Sequence, residues 1–523
     1  MGNPELTENK NQVQGIQISG SLIARNAVLN LIGQALPLLV AVIAMPFVVR
    51  GLGTERFGLL SLAWVVMGYF TIFDLGLGRA TTKFVAEALG KGEGSRVSQI
   101  IWTAVTVQAI MGAIGALALY GATDYLVQRV LNIPPALIYE AEVTFHLLAF
   151  AIPVVMLTSS FSGVLEATQR FSLVNAIRIP SSTLTYLLPL VGLYLGMGLH
   201  GIVALILLAR LAALIAFVAI NLHIRPELRF YSASFKLLSR LASFGGWITV
   251  TGIVGPILVY LDRFLIGSLL TIAAVTYYTA PYEAVTRLFI ISGSLTMTLF
   301  PAFSALEGKK NSHRLGALFA RSIKYILITT GAFAVMIWLF AEEILQIWLG
   351  ADFVSESTAS LQILALGVLI NSLSYAPFAL LQGLGRPDLP AKFHMIELPA
   401  YIIVVWILIS NFGISGAAGA WTLRVALDAL LLFWAALKVS NLSLNVMENN
   451  GAILAGASLV ILAGVGYVMK TVTGDLSLYA QSFLVLGLLI PFAWMVWSRV
   501  FDGSDRRVVL NIIKAQEIAG STQ

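Results

Sequence analysis

Arg210 stands midway along an apolar stretch, Gly198 to Asn221, that carries no other formal charge. Arg424 stands in a similar passage that begins Gly413-Ile414-Ser415-Gly416. A guanidinium at bilayer depth costs about 3 kcal/mol on insertion scales. A chain that places one there, and another at the matching point of its second half, needs cations inside the membrane. The chemistry this suggests is an anion-handling transport path. Arg263 and Arg287 also fall within apolar runs and join the list.

Each arginine has a structural alternative. Glu283 and Arg287 are four apart on one helix face and can pair, as can Arg424 and Asp428. Asp262 is adjacent to Arg263, so their side chains are expected to diverge and Arg263 to need a partner elsewhere. Arg210 has no carboxylate in its own run, and Leu214 stands where Asp428 follows Arg424. Its alternative is a carboxylate on another helix, such as Glu397. Unpaired, it is expected to face a cavity. Among the acids, Asp262, Glu283, Glu397 and Asp428 are the candidates for carrying a coupling proton or gating. Asp74 and Glu166 fall at cytoplasmic helix ends, where caps or gate salt bridges are expected. His146 and His200 read as interface residues.

The elements that must position these groups are membrane helices. The chain has 523 residues, 58% hydrophobic and 11% charged, with mean hydropathy +0.88. Soluble domains carry roughly 25% charged residues. There is no cysteine, so disulfides and thiolate metal sites are excluded. The expected fold is an all-α polytopic membrane protein of about fourteen spans. They fall near 24–49, 57–76, 99–120, 143–165, 179–197, 199–220, 246–270, 279–302, 324–345, 360–382, 395–411, 416–437, 451–470 and 479–500. The polar first segment and long first run argue against a cleaved signal.

Basic residues collect on one side: Arg79, Lys83, Lys91, Arg96, Arg170, Arg178, Arg225, Arg229, Lys309, Lys310 and Arg314 among them. That asymmetry places both termini in the cytoplasm. It also accounts for the net charge of +6 without nucleic acid.

The two halves repeat at offsets of about 215 to 219 residues. Pro37 matches Pro256, and Pro180 matches Pro399. Phe84-Val85-Ala86 matches Phe303-Ser304-Ala305, and Leu165 to Arg170 matches Leu381 to Arg386. Six spans per repeat give both halves the same orientation, a parallel repeat. The expected organisation is an N-tail over 1–23, an N-lobe over 24–222, a linker over 223–245 and a C-lobe over 246–438. A helix pair over 451–500 and a C-tail over 501–523 follow. Two such lobes facing a cavity suit alternating access.

The passages Gly51-Leu52-Gly53-Thr54-Glu55-Arg56-Phe57-Gly58 and Phe73-Asp74-Leu75-Gly76-Leu77-Gly78-Arg79 resemble the start of a Wzx-type polysaccharide flippase. Leu261-Asp262-Arg263-Phe264-Leu265-Ile266-Gly267 and Tyr277-Tyr278-Thr279-Ala280 are similar to the same family. The resemblance implies movement of an undecaprenyl-diphosphate-linked oligosaccharide to the periplasmic leaflet of a bacterial inner membrane. Arginine suits that diphosphate because its planar fork makes bidentate bonds. The substrate-binding candidates are then Arg210, Arg424, Arg287 and Arg263. Arg25 joins them because the first helix lines the portal in this architecture. The last helix pair resembles the fourteen-span arrangement of the lipid II flippase. A monomer with no cofactor is expected, in contact with membrane lipids. A polysaccharide polymerase or glycosyltransferases of the same pathway are the expected protein partners.

Two other classes compete. An ion-coupled drug extruder of the same superfamily would expel mostly cations, yet the first span has no acidic residue and arginines abound. A membrane-embedded glycan polymerase or ligase would need a catalytic domain, and the outer loops are short. No phosphate-cradling glycine loop with lysine and no histidine cluster is present.

Overall fold

The computed structural model describes residues 20–69, 77–90, 93–168, 170–234, 254–255, 257–306, 312–443, 445–472 and 487–503, with 237, 483 and 505–507. These are mostly helical, and no strand occurs among them. Nine helical stretches among them are long and apolar enough to cross a membrane. The expected spans 57–76, 246–270 and 479–500 fall partly outside the described residues.

The chain divides into two units. One comprises residues 1–52, 62–130 and 134–256, and the other 53–61, 131–133 and 257–523. The first unit contains most of α1 (Gly20–Tyr69), with α2 (Leu77–Gly90), α3 (Gly94–Tyr125), α4 (Ile138–Ala167), α5 (Phe171–Tyr194) and α6 (Leu199–Ile224). Its core gathers Phe84, Ile101, Val164 and Phe217. The second unit contains α7 (257–269), α8 (Ile272–Thr286), α9 (Phe289–Ala305), α10 (Ser312–Ile326), α11 (Ala332–Leu339), α12 (Ala341–Trp348) and α13 (Ala351–Gly383). It continues with α14 (Asp388–Ser440), α15 (Asn445–Asn449), α16 (Ala452–Val472) and α17 (Leu489–Met495). Its core gathers Phe303, Phe319, Leu380 and Leu432.

The repeat is visible in matching bonds inside each unit. Arg170 N–H donates to the Leu165 carbonyl at 2.9 Å, and Arg386 N–H to the Leu381 carbonyl at 2.8 Å. Both bonds close a helix end by satisfying a carbonyl left without an intrahelical partner.

Two expected span pairs are single helical stretches that kink at glycine. The first kink is at Gly53 in α1 (φ 77°, ψ 164°) and the second at Gly413 in α14 (φ 59°, ψ −139°). At Gly413 the backbone occupies a region that L side chains rarely adopt. The reversal is close enough that a methyl on Gly416 would meet the Leu408 carbonyl. Gly413→Ala is expected to cost about 1–3 kcal/mol. The check is a lowered melting midpoint in detergent, and an unchanged midpoint would contradict it. The expected span 279–302 is also interrupted, by a turn at Arg287-Leu288 between α8 and α9.

The last helices pack inside the second unit. Met336 and Leu339 of α11 meet Leu459 and Leu462 of α16 and Phe492 of α17. The chain beyond them is clasped to α10. Lys324 and Asp505 form a buried ion pair, each 1% exposed. Tyr325 O–H donates to the same carboxylate at 2.6 Å, and Arg321 reaches Asp502 at 3.2 Å.

Candidate functional site

In the first unit, Arg210 is held on α6 by contacts at both helix ends. Glu140 of α4 accepts the Leu199 N–H at 2.6 Å, satisfying an amide of the first turn. Asn221 Nδ2 donates to the Phe161 carbonyl at 3.0 Å, tying the far end of α6 to α4. Arg210 lies eleven residues past Leu199, roughly 16 Å along the helix.

A cavity of about 470 Å³ opens beside it, within the roughly 300–1,000 Å³ range of ligand pockets. Thr82, Thr158, Ser159, Ser162, Ser181 and Ser182 line it, with Glu166, Arg178 and Arg210 as its charged members among the described residues. Arg210 is half-buried and forms no ion pair or hydrogen bond among the described residues; its Nε is buried and unbonded. Glu397, named as its alternative partner, faces Arg424 within the second unit.

Glu166 makes the salt bridge that its place at a helix end suggested. Arg178 Nη2 donates to Glu166 Oε1 at 2.6 Å and to Ser162 Oγ at 2.8 Å. Sequence reasoning did not single out Arg178 or the hydroxyls. A signal was present: Thr158, Ser159, Ser162 and Glu166 recur at helical spacing along one face of an otherwise apolar α4.

In the second unit the predicted charges are mostly paired. Arg263 is fully buried. Its guanidinium donates to the Val259 carbonyl at 2.7 Å and meets Glu283 at 3.4 Å. It also reaches Asp262 at 3.5 Å, so adjacency in sequence does not keep the two side chains apart. The ring of Tyr282 lies 4.3 Å from the guanidinium carbon, and Tyr278 O–H donates to Asp262 at 2.6 Å. Arg287 pairs with Glu283 at 2.5 Å, one turn away on α8.

Arg424 lies eleven residues past Gly413, a depth along its helix like that of Arg210. Its partner is Glu397 at 3.9 Å, across the Gly413 kink, and not the same-helix Asp428 that spacing offered as an alternative. Asp428 instead faces His394 at 3.5 Å. Among the described residues, His394, Glu397 and Asp428 bring donor atoms within 4.8 Å of one another, a set able to hold a cation. Both Glu397 oxygens and Asp428 Oδ1 are buried without a hydrogen-bond donor. Asp74 lies outside the described residues, as does the side chain of Arg25.

Comparison with known families places this arrangement. The model of a family described as polysaccharide biosynthesis protein matches residues 23–307, more than half of the chain. The chain belongs to this polysaccharide biosynthesis protein family. A second model, MatE, matches residues 248–407. Among relatives within reach of the family, the putative O-antigen transporter of Shigella flexneri is 31% identical over 419 residues, 79% of this chain and 97% of its own. The probable low-salt glycan biosynthesis flippase Agl15 of Haloferax volcanii is 28% identical over 51% of this chain and 55% of its own. Among solved structures, the lipid II flippase MurJ in an inward closed conformation superposes with TM-score 0.72 at 12% identity, covering 91% of this chain and 99% of that one. An inward-facing multidrug resistance MATE transporter gives TM-score 0.69 at 16% identity, covering 79% and 98%. At such identities the two structures bear on the fold: this polysaccharide biosynthesis family member has the fold of both.

Proposed function

We propose that this protein is a flippase for a lipid-linked oligosaccharide, acting in polysaccharide biosynthesis by alternating access. The observation that carries the reading is Arg210. It is a half-buried cation in a hydroxyl-lined cavity, with no carboxylate partner among the described residues. Burying a charge without a partner is costly, and a ligand phosphate offsets that cost. The names of the O-antigen transporter and of the glycan flippase support the same substrate class. The undecaprenyl diphosphate carrier, the cytoplasmic termini, a bacterial inner-membrane location and a monomeric state belong to this proposal. So do lobes over 24–222 and 246–438 and docking by a polymerase or glycosyltransferase of the pathway. Arg424, Arg287 and Arg25 stay as secondary substrate contacts.

The drug-extruder reading fares less well against the cavity. With Glu166 set against Arg178, the described lining of the cavity keeps one net positive charge on Arg210, which repels a cationic compound. Glu397 and Asp428, with His394, are proposed as the coupling site, and Asp262 and Glu283 as gating carboxylates.

The test is reconstitution. Proteoliposomes should equilibrate a fluorescent prenyl-diphosphate oligosaccharide between leaflets, read by loss of accessibility to an external quencher. A cationic dye should not be moved. Glu397→Gln should preserve equilibration and lose accumulation driven by an ion gradient. Ion-dependent dye transport without glycan-lipid movement would sink the proposal in favour of the extruder.

A further inference from the structure

We propose that Arg178 is a second anion-binding side chain of the first unit's cavity, and that Glu166 holds it in reserve until an anion of two charges enters. This rests on the phosphate reading of that cavity. Arg178 lies on α5 one turn before Ser181 and Ser182, and all three line the cavity that Arg210 lines from α6. Glu166 lies at the end of the polar face of α4. Arg178 touches it through one nitrogen and one oxygen, at 2.6 Å. The same Nη2 also reaches Ser162 Oγ, which itself donates to Glu166 at 3.3 Å.

Two features make this bridge exchangeable. The side chains are 50% and 29% exposed, and a pair so wetted holds by about a factor of five or less. Its contact is single, whereas a phosphate presents Arg178 with the parallel two-bond geometry that arginine binds best. An incoming phosphate therefore competes well for the guanidinium, and Ser162 remains as a resting partner for whichever group is displaced.

The charge count gives the pair a selective role. Among the described residues Arg210, Arg178 and Glu166 are the charged ones lining the cavity, and together they carry one net positive charge. A lipid monophosphate diester bears one negative charge and is matched by Arg210 alone. A diphosphate diester bears two, and its second charge is matched only when Arg178 leaves Glu166. Glu166 thus sets a threshold that discriminates by headgroup charge. A merely structural bridge between α4 and α5 has no reason to tell the two headgroups apart.

The experiment measures binding to the purified full-length protein in nanodiscs by calorimetry. The probes are farnesyl diphosphoglucose, a diester of two charges, farnesyl phosphoglucose, a diester of one, and symmetric dimethyl diphosphate, a soluble diester of two. Arg178→Ala should weaken farnesyl diphosphoglucose about tenfold and farnesyl phosphoglucose by no more than about twofold. Glu166→Gln should tighten farnesyl diphosphoglucose about three- to fivefold and leave farnesyl phosphoglucose unchanged. Arg178→Lys, which keeps charge without the fork, should fall between wild type and Arg178→Ala. Dimethyl diphosphate binding as tight as farnesyl diphosphoglucose would keep the two-charge filter and make the ligand a soluble anion. If wild type binds and Glu166→Gln matches it for both lipids, the proposal is overturned. Equal losses for both, with a lowered melting midpoint, overturn it in favour of a structural bridge. If wild type and Arg210→Ala bind none of the probes, the phosphate reading itself fails and takes this proposal with it.

Discussion

Arg210→Ala is expected to abolish export of the lipid-linked glycan while leaving a folded, inserted protein. A charge-assisted hydrogen bond contributes about 1.5–3 kcal/mol, and a bidentate phosphate contact makes two. Losing both lowers transport by about a hundred- to ten-thousandfold at limiting substrate. Arg210→Lys keeps the charge without the planar fork and should lose about tenfold. Stability should move the other way. Arg210 has no carboxylate to orphan among the described residues, and its removal relieves a buried cation. The melting midpoint should hold or rise. Surface glycan staining of cells whose variant reaches wild-type membrane abundance provides the check. Normal staining would end the headgroup role of Arg210.

Arg263→Leu is expected to fail for the opposite reason. Arg263 is fully buried and serves Asp262, Glu283 and the Val259 carbonyl together. Removing it leaves the buried Asp262 carboxylate with neutral donors, the Tyr278 hydroxyl and the backbone N–H of position 263. Breaking a buried pair by deleting one partner costs about 3–5 kcal/mol. That is a large share of the roughly 5–15 kcal/mol by which proteins are stable. Size-exclusion profiles should show aggregated or absent protein. The double variant Asp262→Leu/Arg263→Leu should recover much of the monodisperse peak, because Glu283 keeps Arg287 at 2.5 Å. If Arg263→Leu instead folds normally and loses only transport, Arg263 is a substrate ligand after all and the structural assignment is wrong.

These two arginines show what a sequence can and cannot reveal. Both read as charges in apolar helices, and both entered the substrate list on that ground. Hydropathy and the repeat made the helical membrane class and the matched halves legible, down to the paired helix ends at Arg170 and Arg386. That Arg210 has no partner among the described residues was half-legible, because no acid lies within its own helix. Helical spacing finds same-helix pairs such as Glu283–Arg287. It cannot find Arg424–Glu397, which forms only because the chain reverses at Gly413. Adjacent residues were expected to diverge, yet Arg263 reaches Asp262, because a long side chain can fold back beside a short one. The cavity was written in the polar face of α4, but small hydroxyls draw less notice than charges, and Arg178 was counted as a loop cation.

The clasp between Lys324 and Asp505 has a practical consequence. It buries an ion pair at the end of the last helices, where Tyr325 and Arg321 add further bonds. Such a fastening, with the apolar contact of α16 on α11, makes these last helices a fixed fixture of their own unit. Spin labels placed on α16 and α13 would then report a constant separation through a transport cycle. They would form an internal ruler against which any distance that does change can be calibrated.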